Sequence, residues 1–277
     1  MNSLPEGCIA DITCCTTPRD ACRLSLVSSL FKSAAESDAV WERFLPPDYQ
    51  SIISNSCPCP SSSSSPPSLL CLPSKKQLFL SLCDHPILID GGKKAFYLDK
   101  QSGKKCYMIS ARELMIVGGD TPRYWAWSSL PGRGLFQEAA ELIEMYTLEI
   151  RGKISTCILT PGTHYTAFLV FKLTERSYGF YSPPVEVSVG LVKSESQKRY
   201  VYLYVVIGQD DHHPRERRDK WLEVELGDFY NAGHGDDELE ISILEVKGGW
   251  WKSGLIVQGI EIRPISGTKI YTERGSP

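Results

Sequence analysis

The chain has 277 residues, of which 42% are hydrophobic and 23% charged, and its formal net charge is -3. These values are typical of a globular protein with one large domain or two smaller ones. The weak negative charge argues against nucleic acid as the main partner. No apolar run reaches the roughly 18 residues that a membrane span needs, so we expect no membrane segment. The N-terminus lacks the basic and apolar stretches of a secretory signal.

The chain contains ten cysteines, but their spacing does not favour zinc or a disulfide framework. No pair has C-x-x-C spacing, and the nearest pairs are Cys14–Cys15 and Cys57–Cys59. Because there is no secretory signal and no N-x-S/T sequon, a reducing compartment is favoured. We therefore expect free thiols, no bound metal, and a location in the cytoplasm and nucleus.

Residues 1–50 are acidic, with four Lys/Arg against seven Asp/Glu, and their pattern predicts three helices. Pro5 suits the first turn of the first helix, where its absent N–H would have no partner. Thr17, Pro18 and Asp20 form a capping-box pattern that begins the second helix. One face of that helix repeats apolar residues at helical spacing, namely Leu24, Val27, Phe31 and Ala34.

The third predicted helix begins at Ser37 or Asp38 and ends before Pro46-Pro47. Its apolar residues are Val40, Trp41 and Phe44. Three helices in about fifty residues make a small core that is only marginally stable alone. We therefore predict a trihelical domain over residues 1–50 that a partner completes, although a module that folds alone and contacts nothing is the simpler alternative.

Residues 51–74 carry no charged side chain, and nine serines and five prolines lie between Ser54 and Ser74. Serine adds solvated flexibility, and proline disfavours both helix and strand ladder. This composition predicts a semi-extended linker that lets the two ends of the chain adjust to each other.

After the linker, residues 75–277 switch to a period of two. Residues 164–173 place apolar side chains on both faces, which predicts a strand covered on both sides. Pro161-Gly162 supplies a turn, so we expect this strand to form a hairpin with the residues before it. Further strands are predicted in the segments around 199–207, 220–229, 238–246 and 254–265, and a single helix at 134–145. The fold class is α+β overall, with an antiparallel β-sandwich or barrel as the second domain.

No sequence motif in the chain supports catalysis or a cofactor. It has no nucleophile elbow, P-loop, Rossmann fingerprint or H-E-x-x-H. The 210–213 segment, Asp-Asp-His-His, could bind a metal, but a solvated charged loop explains it better. Asp236, Asp237 and Glu238 are contiguous, whereas a glycosidase needs two carboxylates separated across a cleft. Such acids can still accept hydrogen bonds from sugar hydroxyls.

The segment VGGDTPRYWAWSSLPG, residues 117–132, concentrates Tyr124, Trp125 and Trp127 between two turns. A turn that exposes indoles would form a binding surface, because the C–H face of a pyranose stacks on an aromatic ring. The same residues turned inward would be ordinary core, and core packing is the usual fate of a tryptophan. The same alternative applies to Trp221, Trp250 and Trp251.

The N-terminal stretch, LPEGCIADITCCTTPRDACRLSLVSSLFKSAAESDAVWERFLPPDY, resembles a plant F-box. F-box domains are trihelical modules that dock on the Skp adaptor of a cullin-based (SCF) ubiquitin ligase. The resemblance implies that six residues form the adaptor interface or its supporting core: Leu4, Pro5, Ile9, Val27, Phe31 and Trp41.

The second domain resembles the phloem protein 2 family, also called Nictaba-like lectins. The similarity covers SKKQLFLSLCDHPILIDGGKKAFYLDKQSGKKCYMISARELMIVGGDTPRYW, Leu148–Ile154, Pro183–Val192, Trp221–Asn231 and Leu244–Pro264. It implies a jelly-roll-like sandwich that binds N-acetylglucosamine or N-acetyllactosamine-type glycans. The site residues carried over are Trp125, Glu238 and Glu245, with Trp127 as an additional aromatic. Gly118 stands where the family has its first tryptophan, so one stacking ring is absent there.

Together the resemblances imply a non-catalytic substrate receptor of an SCF ubiquitin ligase. Its F-box would bind the Skp adaptor and hence the cullin, and its second domain would bind a glycoprotein. The alternative is an F-box receptor whose lectin-like domain binds protein targets without carbohydrate, which Gly118 favours. A glycosidase is the weakest alternative, because a separated acid pair is lacking.

Overall fold

The structure is a computed structural model that describes residues 5–56, 69–129, 134–192, 196–205, 212–233, 235–246 and 250–265. It confirms the α+β class: N-terminal helices precede a large domain of antiparallel strands. No helix in these ranges is long and apolar enough to cross a membrane. The eight cysteines that the structure describes are free thiols.

The helical region contains more and shorter helices than the three expected. They are α1 (Glu6–Cys14), α2 (Pro18–Leu24), α3 (Ser29–Glu36), α4 (Asp38–Phe44) and α5 (Tyr49–Ser54). A further helix, α6 (Lys75–Asp84), begins the segment after the predicted linker, where the sequence predicted no helix before residue 134. The Thr17 hydroxyl accepts a hydrogen bond from the Asp20 N–H at 3.1 Å, as its capping-box pattern predicts. The continuous helix expected from Thr17 to Ala34 is wrong, because a turn at Ser25–Ser28 divides it and Ser28 caps α3.

The strands form a sandwich of two antiparallel sheets. In chain order they are β1 (Ile87–Ile89), β2 (Lys94–Leu98), β3 (Lys105–Ser110), β4 (Met115–Ile116), β5 (Trp125–Ser129), β6 (Glu138–Leu142), β7 (Leu148–Ser155), β8 (Thr163–Tyr178), β9 (Val185–Leu191), β10 (Gln197–Val201), β11 (Arg215–Glu216), β12 (Leu222–Asn231), β13 (Glu238–Glu245) and β14 (Ser253–Pro264). One sheet has the order β1-β2-β3-β14-β8-β12-β11, and the β5–β6 pair joins it through β14. The other has the order β10-β9-β13-β7-β4.

Two expectations about this domain are wrong, and the strand expected around 199–207 is shorter than predicted, because β10 ends at Val201 and residues 202–205 are not strand. The segment 134–145 holds the strand β6 rather than a helix, since β6 pairs with both β5 and β14. The segment before Pro161-Gly162 does not form a hairpin with β8, because β7 belongs to the other sheet. The residues between β7 and β8 therefore carry the chain from one sheet to the other. The prediction for β8 itself holds, since side chains on both its faces are buried.

The helices and the sandwich share one hydrophobic core. The Trp41 ring of α4 lies 5.2 Å from the Phe79 ring of α6, measured between centroids. The Asp48 carboxylate accepts a hydrogen bond from Lys105 Nζ of β3 at 2.7 Å. Residues 57–68 of the predicted linker lie outside the described residues, but its first residues belong to α5. The expectation that the two ends adjust freely is therefore wrong, because their side chains pack together.

A buried carboxylate lies on the outer face of the larger sheet. Glu261 accepts hydrogen bonds from Arg217 at 2.6 Å, from Arg263 at 2.8 Å and from Tyr97 at 2.9 Å. Burial alone would raise the pKa of Glu261, but the two guanidinium groups and the hydrogen bonds outweigh it and hold the pKa below its usual value. These four residues line a cavity of about 920 Å³. Within it, Tyr97, Arg217 and Arg263 are each hydrogen-bonded to the Glu261 carboxylate.

This lowered pKa gives a pH prediction. A carboxylate whose folded pKa lies below its unfolded value of 4.5 contributes stability above that pH and loses it as pH falls through the folded pKa. We expect a Glu261→Gln variant to be less stable at pH 7 and to lose less further stability between pH 5 and pH 3. Urea denaturation across that range measures this, and an unchanged acid dependence would contradict it.

Candidate functional site

Trp125 is the first residue of β5 and lies opposite Leu142 of β6. Its side chain is 2% exposed and belongs to the main core, and its indole N–H donates to the Val117 carbonyl at 3.2 Å. The expectation that the Trp125 indole lies on the surface is therefore wrong. An indole with both its ring and its N–H satisfied inside the sandwich offers no face for stacking.

Trp127 lies two residues further along β5 and is half-buried. Its indole N–H donates to the Gly119 carbonyl at 3.1 Å. The Arg112 guanidinium lies 3.7 Å from the ring centroid and also donates two hydrogen bonds to Glu138, at 2.8 and 3.0 Å. A cation held this way occupies one face of the ring. The chain's own arginine therefore already covers part of this predicted aromatic contact.

Gly118 adopts a left-handed backbone conformation with φ of 74°. A Cβ at this position would lie 3.3 Å from the Tyr124 ring and 3.5 Å from the Met145 methyl group. Both the backbone and the neighbouring side chains thus disfavour a large residue here. The backbone conformation of this turn therefore favours glycine at position 118, and an aromatic side chain could not replace it without a change in the turn.

The two predicted glutamates lie at opposite ends of β13. Glu238 and Glu245 are seven positions apart on the strand, a distance of about 23 Å at 3.3 Å per residue. The odd spacing also puts them on opposite faces of the sheet. Glu238 is exposed and paired with Lys153 at 2.9 Å, whereas Glu245 is buried. The prediction that they share one sugar site is wrong for this geometry.

Glu245 forms a buried ion pair with Lys252, and their side chains are 2% and 1% exposed. The Lys252 ammonium also donates to the Tyr146 carbonyl at 3.0 Å and to the Trp250 carbonyl at 2.8 Å. The pair thus links the end of β13 to the residues that follow β6 and to those that precede β14. Glu245 is a structural anchor rather than an exposed sugar contact.

Three exposed aromatic side chains surround this anchor: Tyr146, Trp250 and Trp251, with exposures of 48%, 65% and 49%. The rings of Tyr146 and Trp251 lie 5.9 Å apart at an interplanar angle of 77°. We name these three residues the aromatic corner. The sequence left surface exposure and core packing open for both tryptophans, and the structure places both on the surface.

The described residues contain no group of three or more metal-ligating side chains. Asp210 and Asp211 of the weighed metal alternative lie outside the described residues. His212 lies 2.9 Å from the Tyr200 carbonyl through its Nδ1, and the His213 ring stacks on Tyr202. Both histidines therefore contact the residues at the end of β10 and just after it.

The predicted adaptor-binding residues divide into two groups. Ile9 and Trp41 are buried, with exposures of 4% and 0%, so they support the helices rather than meet a partner. Pro5 is exposed, Val27 is 66% exposed, and Phe31 is half-buried. Leu4 lies outside the described residues.

Sequence reasoning missed three further apolar side chains on the surface of the helical region. Ile12 is 49% exposed, Leu26 is 86% exposed and Leu30 is 38% exposed. The signal for Leu26 was the division of the long helix, since Leu26 and Val27 lie in the turn between α2 and α3, whereas Ile12 lies in α1 and Leu30 in α3. Exposed large apolar side chains concentrated on a small module indicate a protein-binding surface.

Comparison with known proteins gives two family matches along the chain. The F-box domain family matches residues 1–43, and the Phloem protein 2 family matches residues 104–264. An F-box protein of Arabidopsis thaliana is 46% identical, over 94% of this chain and 79% of that protein. The Arabidopsis F-box protein PP2-B1 is 42% identical, over 95% and 90%.

Among solved structures, a family 35 carbohydrate-binding module from Clostridium thermocellum superimposes with a TM-score of 0.32 and 8% identity. That comparison covers 57% of this chain and 96% of the module.

Proposed function

Because this chain belongs to the F-box proteins that carry a phloem protein 2 domain, we propose that it is a substrate receptor of an SCF-type ubiquitin ligase. The F-box binds the Skp adaptor and through it the cullin, and the sandwich binds a glycoprotein through its glycans. The observation that carries the proposal is the presence of both domains in one chain. We place this activity in the cytoplasm and nucleus, where free thiols persist.

The receptor itself performs no chemistry in this proposal. It holds a target near the ubiquitin-transferring subunits, and the tether raises the effective concentration of the target's lysines. The shared core of helices and sandwich supports a fixed rather than a flexible spacing between adaptor and target. A fixed spacing increases the effective concentration when it matches the span that has to be bridged.

The exposed apolar side chains of the helical region are the proposed adaptor contacts. Leu26 and Val27 are the most exposed of them, and neither supports the core of the helices. Their burial against a partner would remove apolar surface from water at about 25 cal/mol per Å². Ile9 and Trp41 contribute indirectly, by holding the helices in position.

A double variant, Leu26→Asp with Val27→Asp, is expected to weaken binding of the full chain to a purified Skp-type adaptor at least tenfold. Central contacts of a protein interface typically cost more than about 1 kcal/mol when they are lost. Isothermal titration calorimetry measures the affinity, and Val192→Asp, at an apolar position of the sandwich that is 48% exposed, is the matched control. Equal affinity of the double variant and the wild type would refute the assigned surface, and a wild-type chain that binds no adaptor would refute the proposal.

A second candidate function is recognition of protein targets without carbohydrate. The buried Trp125 and the left-handed Gly118 favour it, because the 117–129 loop exposes no indole platform. A glycan array probed with the full chain discriminates the two candidates. Saccharide-dependent signal supports the glycoprotein receptor, and a blank array from folded, adaptor-binding protein supports the alternative.

A further inference from the structure

The aromatic corner is an unusual surface for a soluble domain. Trp and Tyr rings are mostly buried in folded proteins, yet Tyr146, Trp250 and Trp251 each leave about half or more of their area exposed. Two of the rings meet nearly at right angles, so they present differently oriented apolar walls. The Tyr146–Trp251 pair, with Trp250 next to it in the chain, offers exposed aromatic surface of the kind that marks a binding site.

The fold holds the corner rigidly. Lys252 and Met145 exchange two backbone hydrogen bonds, of 3.0 and 2.8 Å, which fix the residues next to Tyr146 and Trp251. The buried Lys252 ammonium reaches the carbonyls of Tyr146 and Trp250 together. Gly179 allows the chain to pass directly against the Trp251 carbonyl, since a Cβ there would collide with it. A surface fixed in advance loses little conformational entropy when a ligand binds.

Polar side chains lie on residues that neighbour the aromatic corner in the chain and in the ladder. Tyr178 pairs with Ser253 in the ladder, and its hydroxyl donates to the Glu144 carboxylate at 2.8 Å. Glu144 is exposed and lies two residues before Tyr146. A carboxylate accepts several hydrogen bonds at once, so Glu144 keeps capacity for hydroxyl groups of a ligand.

From this combination we infer that the aromatic corner binds a pyranose, with its C–H face on an exposed ring and a hydroxyl on Glu144. The inference rests on the proposed glycoprotein-receptor function and names its site. The site differs from the 117–129 segment, where Trp125 is buried and Arg112 covers one face of the Trp127 ring. Lys252 and Glu245 are positioning residues, because they hold the backbone of the corner without reaching the ligand.

The test uses the full chain and a glycan array, followed by titration of the strongest oligosaccharide on the array. The double variant Trp250→Ala with Trp251→Ala is expected to bind at least tenfold more weakly, on the scale of lost aromatic stacking. Trp251→Phe keeps a ring and is expected to keep most of the affinity. Tyr230→Ala is the matched control, because Tyr230 is 53% exposed but lies roughly 45 Å away along β8, opposite His164.

Each outcome bears on a different statement. If the wild-type chain binds oligosaccharide and the double variant binds it equally well, the aromatic corner is not the binding site. The proposed recognition of glycans by this chain would then still hold. If the wild-type chain binds the adaptor but no glycan, both the corner's sugar ligand and the glycoprotein receptor are refuted.

Discussion

Replacing Lys252 with methionine is expected to destabilise the folded chain by about 3–5 kcal/mol, because it leaves the buried Glu245 carboxylate without its counter-charge. Lys252 is 1% exposed, so water cannot replace the lost ammonium. The variant also removes the hydrogen bonds to the carbonyls of Tyr146 and Trp250, which makes the loss larger than that of the ion pair alone. Urea denaturation of the full chain at pH 7 measures the difference in unfolding free energy.

Two controls isolate the cause of this loss. The double variant Lys252→Met with Glu245→Gln removes both charges, and we expect it to recover a large part of the lost stability. Lys153→Met breaks the exposed pair with Glu238, whose side chains are about half exposed, and should change stability by no more than about 1 kcal/mol. Equal destabilisation by the two lysine variants would show that burial of the Glu245–Lys252 pair carries no energetic weight.

The strand pattern of the second domain could be read from sequence because alternation of side chains is a local property. β13 shows it, since Leu239, Ile241 and Ile243 belong to the main core, whereas β8 could be predicted because its apolar side chains occupy both faces. The exception is instructive: Glu138–Leu142 is rich in glutamate, alanine and leucine, which favour helices. Its two alanines are fully buried between neighbouring strands, so tertiary packing overrides the local preference there.

Which face of a strand points inward could not be read in the same way. The resemblance assigned Trp125 and Glu245 to a sugar site, but both side chains point into the sandwich. The spacing of Glu238 and Glu245 already carried part of the answer, because an odd separation on one strand places two residues on opposite faces. The partner of Glu245 could not be found by spacing, since Lys252 reaches it from the next strand segment.

In the helical region, one local sequence signal was read correctly and another was missed. The capping signal at Thr17 is local and was predicted correctly. The break before α3 was missed, although Ser28 before Leu30 and Phe31 is itself an N-cap signal. The missed break matters for function, because it places Leu26 and Val27 in an exposed turn instead of on a helix face.

Replacing Trp41 with alanine is expected to destabilise the whole chain by about 3–5 kcal/mol, the range for removing a buried large aromatic. The Trp41 ring is 0% exposed and packs against Phe44 and Phe79, with centroids 5.6 and 5.2 Å away. Its indole N–H also donates to the Ala35 carbonyl at 2.7 Å, so the cavity would contain an unpaired acceptor. Because Phe79 belongs to α6, the loss should reach the sandwich as well as the F-box helices.

Amide hydrogen exchange on the full chain measures this coupling. If helices and sandwich unfold as one unit, the free energy of opening measured at amides of α4 and of β2 should fall by the same amount in Trp41→Ala. Val27→Ala, at a site 66% exposed, is the control and should leave both unchanged. Faster exchange confined to the helices would mean that the F-box unfolds independently. The receptor would then present its target through a pivot instead of the fixed geometry that the Trp41–Phe79 contact and the Asp48–Lys105 pair support.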